Sequence, residues 1–246
     1  SSCWLKACAY QPSLPVARHG GLMAPRKPLD DRSPSDFTKI LSVAAFYTFL
    51  TGVVNGIAVS ELATPVGYTS GPCVNCGRFL ANGDMTSWWK IFGISVNFYM
   101  GGIIAGVAGS NYDDIFEGKR SMGMLVSAIL LALGTYCKKS LSRPILAIQV
   151  WALSQGLMNA ITSKFSAAPI RATHTAGGMT DAALSIGQAM VALTKGTAPP
   201  RMRKAILNMV CNWGMILGGF ASVKNYKRFG VNGGYHCAAA LAASVV

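Results

Sequence analysis

The chain of 246 residues is 51% hydrophobic and only 13% charged, and its mean hydropathy is +0.37. Soluble domains carry about 25% charged residues, so this composition argues against a soluble protein and favours an integral membrane protein. The net charge of +13 comes from basic residues in loops between apolar segments. This pattern favours membrane lipids or acidic neighbouring subunits as partners, and no nucleic acid.

Residues 1–36 form a proline-rich segment of irregular pattern, which predicts an extended N-terminal tail. Because the sequence lacks an initiator Met, we expect a processed N-terminus, as after removal of an organellar presequence. A tail of this composition becomes ordered when other chains hold it. We therefore expect the tail to contact other subunits of a large membrane complex.

The remainder of the chain alternates between apolar segments and short polar loops. Ser35 or Asp36 is expected to cap the first helix. Five segments are long enough to cross a bilayer, namely residues 40–62, 88–108, 121–137, 144–162 and 205–223. Residues 233–246 would form a helix of about 21 Å, which crosses only with a tilt, a thin bilayer or a protein neighbour. Residues 64–84 predict a hairpin-like loop, and residues 180–193 a re-entrant or interfacial helix.

Three pairs of short segments match each other in the same order, which indicates a duplicated unit. Residues 52–57 match 156–161 at an offset of 104, residues 83–86 match 177–180 at 94, and residues 97–100 match 212–215 at 115. Three spans per copy would insert the second copy upside down. The sequence therefore predicts an all-α membrane protein with about six transmembrane helices in two inverted three-helix repeats, residues 37–143 and 144–246.

The matched stretches also resemble a known family. Residues 171–177, which follow Gly156 and Asn159, are similar to the second-half signature of the YoaK-type bacterial membrane proteins, a domain family of unknown function. Residues 49–55 resemble its first-half signature, and the resemblance covers roughly residues 46–221. It implies about six membrane helices and no particular activity. The chain departs from the family at Asn55, where an acid is usual, and at Ala176-Gly177, where Thr-Gly is usual.

Two asparagines and one histidine are the candidate site residues within the apolar segments. Asn55 and Asn159 either line a substrate or ion path across the pseudo-twofold axis, or form interhelical hydrogen bonds of about 1 kcal/mol each. His174 lies between Thr173 and Thr175 in a Thr/Gly break, and irregular backbone at membrane depth lies inside protein or along a cavity. His174 could move protons, bind a ligand, coordinate the metal of a tetrapyrrole such as chlorophyll, or form hydrogen bonds with its neighbours.

The other polar residues have simpler interpretations. Cys73 and Cys76 form a single CxxC without further ligands, so we expect a disulfide or free thiols and no metal site. Asp84 and Asp181 are expected to cap the helices that follow them, with proton transfer as the alternative. Six basic residues around the fifth span are interfacial anchors or contacts to lipid or subunits, namely Arg201, Arg203, Lys204, Lys224, Lys227 and Arg228.

The sequence contains no nucleophile, phosphate-loop or zinc-protease motif, so we do not expect an enzyme. We expect a non-catalytic accessory subunit of a large organellar membrane complex that aids assembly and binds structural lipid, chlorophyll or carotenoid. The plastid thylakoid and its photosystems are the first expectation, and a respiratory complex of the mitochondrial inner membrane is the second. The alternative is a small-solute or ion transporter with a site at the repeat interface. A transporter should bring several polar groups together near the midplane, whereas a scaffold should have a dry interface.

Overall fold

The computed structural model describes residues 29–67, 70–108, 122–164, 170, 175–198 and 202–244. These residues form α-helices and two 3-10 turns, without strands in the described ranges. The helices are α1 (Pro34–Leu62), α2 (Ser70–Ala81), α3 (Met85–Ala108), α4 (Met122–Lys139), α5 (Pro144–Lys164), α6 (Thr175–Lys195), α7 (Arg203–Phe229) and α8 (Gly233–Ala243). The turns are Leu29–Asp31 and Gly230–Asn232. The all-α prediction is confirmed.

The start of α1 is fixed by its N-cap. The hydroxyl of Ser33 accepts a hydrogen bond from the backbone N–H of Asp36 at 3.1 Å. Pro34 follows at the first helical position. A backbone N–H at this position has no acceptor within the helix, so proline loses no hydrogen bond there. The prediction that Ser35 or Asp36 is the cap is therefore wrong, because both residues lie inside the first turn.

Five helical segments of the described chain are long and apolar enough to cross a membrane: Pro34–Glu61, Met85–Val107, Met122–Lys139, Pro144–Ser163 and Arg203–Ala243. They correspond to the five predicted spans. The last segment includes α8, which follows α7 after one 3-10 turn. With 11 residues, α8 is about 16 Å long, roughly half of a hydrocarbon core of about 30 Å. The expected number of about six spans is thus corrected to five candidate spans.

Two of the predicted connecting segments have a different structure. The hairpin-like loop predicted for residues 64–84 contains α2, because Pro72 lies in the first turn of this helix, where proline is tolerated. The short helix predicted for residues 180–193 is the longer α6 of 21 residues. Its hydropathy nevertheless places α6 outside the five candidate spans.

Helices α1 and α7 pack against each other in parallel, with backbone in contact with backbone. The contacts of their small residues pair Thr48 with Gly214, Gly52 with Gly218 and Gly56 with Ser222. Because the residue numbers rise together, both helices run in the same direction. Glycine at these crossings lets two helices approach closely.

Helices α3 and α5 form a second parallel pair. Their contacts place Gly93 beside Gln149, Phe98 beside Gly156, and Gly101 beside Leu157. Helix α4 packs antiparallel to α5, with the hydroxyls of Ser127 and Ser154 2.8 Å apart and the indole N–H of Trp151 donating to the Leu131 carbonyl at 3.2 Å. The two parallel pairs meet where α1 contacts α5, and α8 packs on α4.

The parallel course of α1 and α7 determines how α6 relates to the membrane. Helices α3, α4 and α5 lie between them in the chain, and three crossings bring α7 back to the direction of α1. A fourth crossing by α6 would make α7 antiparallel to α1. Helix α2, with 12 residues or about 18 Å, is too short to cross. It follows that α2 and α6 lie at opposite faces without crossing.

Candidate polar site at the membrane midplane

Three buried residues in the centre of the protein carry polar atoms without hydrogen-bond partners in the described part of the chain. They are Thr51 on α1, Ser95 on α3 and Gln155 on α5. Thr51 and Gln155 are 0% exposed and Ser95 is 6% exposed. In Gln155 both the Oε1 and the Nε2 atoms lack a partner. We refer to these three residues as the midplane cluster.

The depth of the midplane cluster follows from the bounds of its helices. Each of the three residues lies within about one turn of the middle of its helix. A helix that spans a bilayer has its middle near the bilayer midplane. The helices themselves are in contact, α1 with α5 and α5 with α3. The cluster is therefore a set of polar groups on three helices at the depth where transporters hold their solutes.

An unpaired polar atom at this depth is costly. Leaving a buried donor or acceptor without a partner costs about 1–3 kcal/mol, and such groups are few in native proteins. Native proteins keep such groups where a bound water or ligand supplies the missing hydrogen bond. Gln155 offers two N–H donors and one carbonyl acceptor, and each hydroxyl can donate and accept. The three residues thus present both donor and acceptor atoms.

The midplane cluster carries no charge. The charged residues of its three helices are near the helix ends, at Asp36, Lys39, Glu61, Lys90 and Lys164. A neutral lining in a medium of low dielectric constant disfavours an unpaired ion. The chemistry of the cluster therefore favours an uncharged polar molecule.

The two glycines next to the cluster explain its fixed position. Gly52 follows Thr51 and lies against the backbone of α7, while Gly156 follows Gln155 and lies against the backbone of α3. A Cβ at Gly156 would be 2.9 Å from the Cα of Phe98, closer than real Cβ contacts. Because the backbones are in contact at these points, the backbone positions that carry Thr51 and Gln155 are held in place.

Asn55 holds the chain that follows α1. Its Oδ1 atom accepts hydrogen bonds from the backbone N–H groups of Val66 at 2.9 Å and Gly67 at 2.7 Å. Its Nδ2 atom has no partner among the described residues. A carboxylate would supply the same acceptor oxygen, which accounts for the acid that the family resemblance places here. Asn55 therefore has a structural role, one turn away from Thr51.

The other predicted site residues are only partly described. Asn159 is half-buried on α5, and its carbonyl accepts from the hydroxyls of Thr162 at 3.1 Å and Ser163 at 2.7 Å. Thr173 and His174 lie outside the described residues. Thr175 begins α6, but its side chain lies outside the description as well. The prediction of a site at His174 thus stays a prediction.

The two predicted capping aspartates differ in structure. Asp84 caps α3, since its Oδ1 accepts from the N–H of Ser87 at 3.0 Å, and this bond lowers the pKa of the carboxyl. Asp181 does not cap a helix, because α6 already begins at Thr175. Its carboxylate instead pairs with Lys204 at 2.8 Å and connects α6 to α7.

Cys73 and Cys76 both carry free thiols on α2. Cys73 is exposed and Cys76 is half-buried. Burial raises the pKa of the Cys76 thiol, and the neighbouring Cys73 adds to this effect. Of the two states that the sequence left open, the structure has the free thiols.

The basic residues around α7 make contacts within the chain. Arg203 donates from Nη1 to the carbonyls of Leu29 at 3.1 Å and Arg32 at 2.6 Å, and so fastens the chain before α1 to the start of α7. Lys224 lies over the ring of Phe220 and Arg228 over that of Phe229. Lys227 is exposed in the same last turns, and Arg201 lies outside the described residues.

The sequence analysis missed all three residues of the midplane cluster. For two of them the signal was present, because Thr51 and Gln155 both precede a matched glycine and lie four residues before a matched asparagine. The shared pattern of a polar residue, glycine, two apolar residues and asparagine could have identified them. Ser95 has no such signal, since its burial is visible only in the structure.

These features define a polytopic α-helical membrane protein with a neutral polar cluster in its interior. The chain belongs to the family described as "Protein of unknown function (DUF1275)", whose profile matches residues 43–246. This match confirms the resemblance to the YoaK-type membrane proteins. No curated protein and no solved structure matches the chain significantly.

Proposed function

We propose that the protein carries a small, uncharged polar solute across the membrane and holds it at the midplane cluster. The observation that carries this proposal is Gln155, which is 0% exposed and lacks partners in the described chain for both of its polar atoms. A solute with hydroxyl or amide groups would supply these bonds.

The helix packing supports the two inverted repeats as part of this proposal. A Cβ on Gly218 would meet the carbonyl of Phe49, and a Cβ on Gly101 would meet that of Leu153. The offset from Phe49 to Leu153 is 104, the offset of the matched segments in α1 and α5. Each copy thus places its first span against the second span of the other copy.

The same comparison revises one sequence match. Gly52 meets the carbonyl of Met215, and Gly156 meets that of Phe98. Phe98 and Met215 differ by 117 in residue number, and so do Gly101 and Gly218. The matched segments of α3 and α7 differ by 115. The contacts favour 117, with Gly101-Gly102 equivalent to Gly218-Gly219. Helices α2 and α6, at opposite faces, then occupy equivalent positions, as inversion requires.

Solute permeability of liposomes that contain the purified protein tests the transport proposal. The probes are glycerol, urea, acetamide and small polyols, and swelling after an osmotic step is followed by light scattering. We expect at least one probe to enter faster than into protein-free liposomes. Sodium and chloride should not enter faster, because the cluster carries no charge. The proposal would be contradicted if, for every probe, liposomes with the protein were no more permeable than protein-free liposomes.

A second candidate function is the accessory subunit of a larger complex, because the outer face of the α1–α7 pair has an apolar groove. The groove is a cavity of about 590 Å³ whose lining includes Phe46, Phe49, Met209, Trp213 and Leu217. A lipid chain, a carotenoid or an apolar helix of a neighbour has suitable chemistry for it. Under this proposal the host is a photosystem of the plastid thylakoid or a mitochondrial respiratory complex.

The two candidate functions differ in the size of the native particle. Mild-detergent extracts of the native membrane are separated on a native gel, and each band is analysed by mass spectrometry. Comigration with a larger complex in fixed ratio would favour the accessory subunit. A monomer or dimer band, together with solute flux from the purified protein, would favour the transporter.

A further inference from the structure

A half-buried ion pair joins two helices that do not otherwise pack along their length in the described chain. The Nζ atom of Lys138 on α4 lies 2.9 Å from Oε2 of Glu61 on α1. The hydroxyl of Tyr226 on α7 donates to Oε1 of the same carboxylate at 3.1 Å. The side chains of Glu61 and Lys138 are 13% and 27% exposed. One carboxylate therefore connects three helices.

The ion pair lies at one membrane face. Glu61, Lys138 and Tyr226 are all near the C-terminal ends of their helices, and α1, α4 and α7 run in the same direction. Glu61 lies ten residues beyond Thr51, or about 15 Å along α1. This distance is about half of the hydrocarbon thickness. The ion pair is thus level with the membrane surface, above the midplane cluster.

The ion pair also spans the division between the two parallel helix pairs. Glu61 and Tyr226 belong to the α1–α7 pair, whereas Lys138 is on α4, which packs on α5 of the other pair. Carriers with inverted repeats expose their site by moving one bundle against the other. A bond across this division resists such movement at the face where it lies.

We propose that the Glu61–Lys138 ion pair, supported by Tyr226, is the gate that closes the path to the midplane cluster at this face. The role of the ion pair as a gate rests on the proposed transport function. The contacts of Glu61 with Lys138 and Tyr226 do not depend on that proposal. The position equivalent to Glu61 at the offset of 104 is Phe165, which cannot form an ion pair. The equivalent position in the second copy therefore cannot repeat this ion pair.

Thiol labelling from this face tests the gate. The reporter is the thiol introduced by Thr51→Cys, and a membrane-impermeant reagent is added to native vesicles of a single orientation. Exposed Cys73 on α2 lies at the same face as the gate, so the preparation in which Cys73 reacts presents this face outward. Mass spectrometry quantifies the labelling of residue 51 relative to that of residue 73. Because each cysteine is measured separately, the native cysteines need not be replaced.

We expect Glu61→Gln and Lys138→Met to raise the labelling rate at residue 51 at least tenfold. Lys139→Met is the matched control, since this exposed neighbour should leave the rate unchanged. The exchanged pair Glu61→Lys with Lys138→Glu should return the rate toward that of the parent. If the Thr51→Cys protein does not fold, Ser95→Cys on α3 is the reporter.

Unchanged labelling at both reporter positions, in folded Glu61→Gln and Lys138→Met proteins, would overturn the gate. This result is compatible with transport, which the liposome assay tests separately. Faster labelling in these variants without any solute flux would instead support the gate and contradict the transport proposal. The two proposals can therefore fail independently.

Discussion

Gly52 on α1 and Gly218 on α7 are in direct backbone contact: a Cβ placed on Gly218 would lie 2.9 Å from the Cα of Gly52. Real Cβ atoms do not approach another carbon so closely, so neither residue can be replaced without a shift of the helices. Van der Waals contact of this kind drives helix association in lipid, where hydrophobic burial contributes little. Because Thr51 precedes Gly52, the contact also determines where the midplane cluster lies.

The first prediction concerns this contact. Gly52→Ala and Gly218→Ala should each destabilise the protein by about 1–3 kcal/mol, because the added methyl group meets backbone atoms that cannot move away. The measurement is the unfolding temperature in detergent. Gly219→Ala is the control, since a Cβ at Gly219 has nothing within 4 Å. An equal unfolding temperature for Gly218→Ala and Gly219→Ala would contradict the described packing.

The second prediction compares the two helix pairs. If α3 and α5 repeat the contact of α1 and α7, Gly156→Ala should lower the unfolding temperature about as much as Gly52→Ala. Gly102→Ala should not lower it, because that position faces open space. A large effect in one pair and none in the other would show that the two crossings are not equivalent, and would weaken the duplication.

The third prediction concerns Asn55. Asn55→Ala removes the acceptor for two backbone N–H groups, at about 1 kcal/mol per lost bond. Hydrogen exchange should accelerate at the amides of Val66 and Gly67, with little change at residues near the middle of α4. Asn55→Asp retains an acceptor oxygen and should keep both amides protected at neutral pH. Fast exchange of the Val66 and Gly67 amides in the unmodified protein would contradict the hydrogen bonds assigned to Asn55.

The fourth prediction concerns the pH dependence of the α3 cap. The bond from the Ser87 N–H holds the folded pKa of Asp84 below its ordinary value of 3.8. A depressed pKa means that the cap stabilises α3 above pH 4 and that this contribution is lost as the pH falls through the folded pKa. Asp84→Ser provides a cap that does not titrate.

Hydrogen exchange at the first turn of α3 measures this effect. Between pH 6 and pH 3, the protection of these amides, corrected for the intrinsic exchange rate, should fall in the parent protein. In Asp84→Ser it should change much less. The same pH dependence in both proteins would show that the cap is not the titrating group.

The sequence predicted the elements of this fold better than their arrangement. Apolar length and composition were sufficient for the five spans, because a bilayer demands about 20 apolar residues in each helix. They were insufficient for α2, since its proline and glycines suit a loop as well as the start of a helix. They were also insufficient for the α1 cap, where Ser33, Ser35 and Asp36 are all suitable residue types.

The candidate site was harder to predict because it depends on burial and on missing partners. Asn55 is a polar residue in the apolar interior of its span and was therefore a candidate, yet two backbone N–H groups satisfy its carbonyl oxygen. Thr51 is less polar and more common in helices, but its only polar side-chain atom has no partner in the described chain. Sequence composition cannot separate these cases, since both depend on which neighbours the packing supplies.

Gln155 provides the most direct test of the whole account, through the solute permeability of liposomes that contain Gln155→Leu. Leucine removes the unpaired amide without leaving a large cavity, so the unfolding temperature should rise by the equivalent of about 1–3 kcal/mol. Permeability to the solute that the parent protein carries should fall to that of protein-free liposomes. Gln149→Leu, six residues earlier on α5 and half-buried, should retain the permeability of the parent. Full permeability in a folded Gln155→Leu protein would contradict the central role of the midplane cluster.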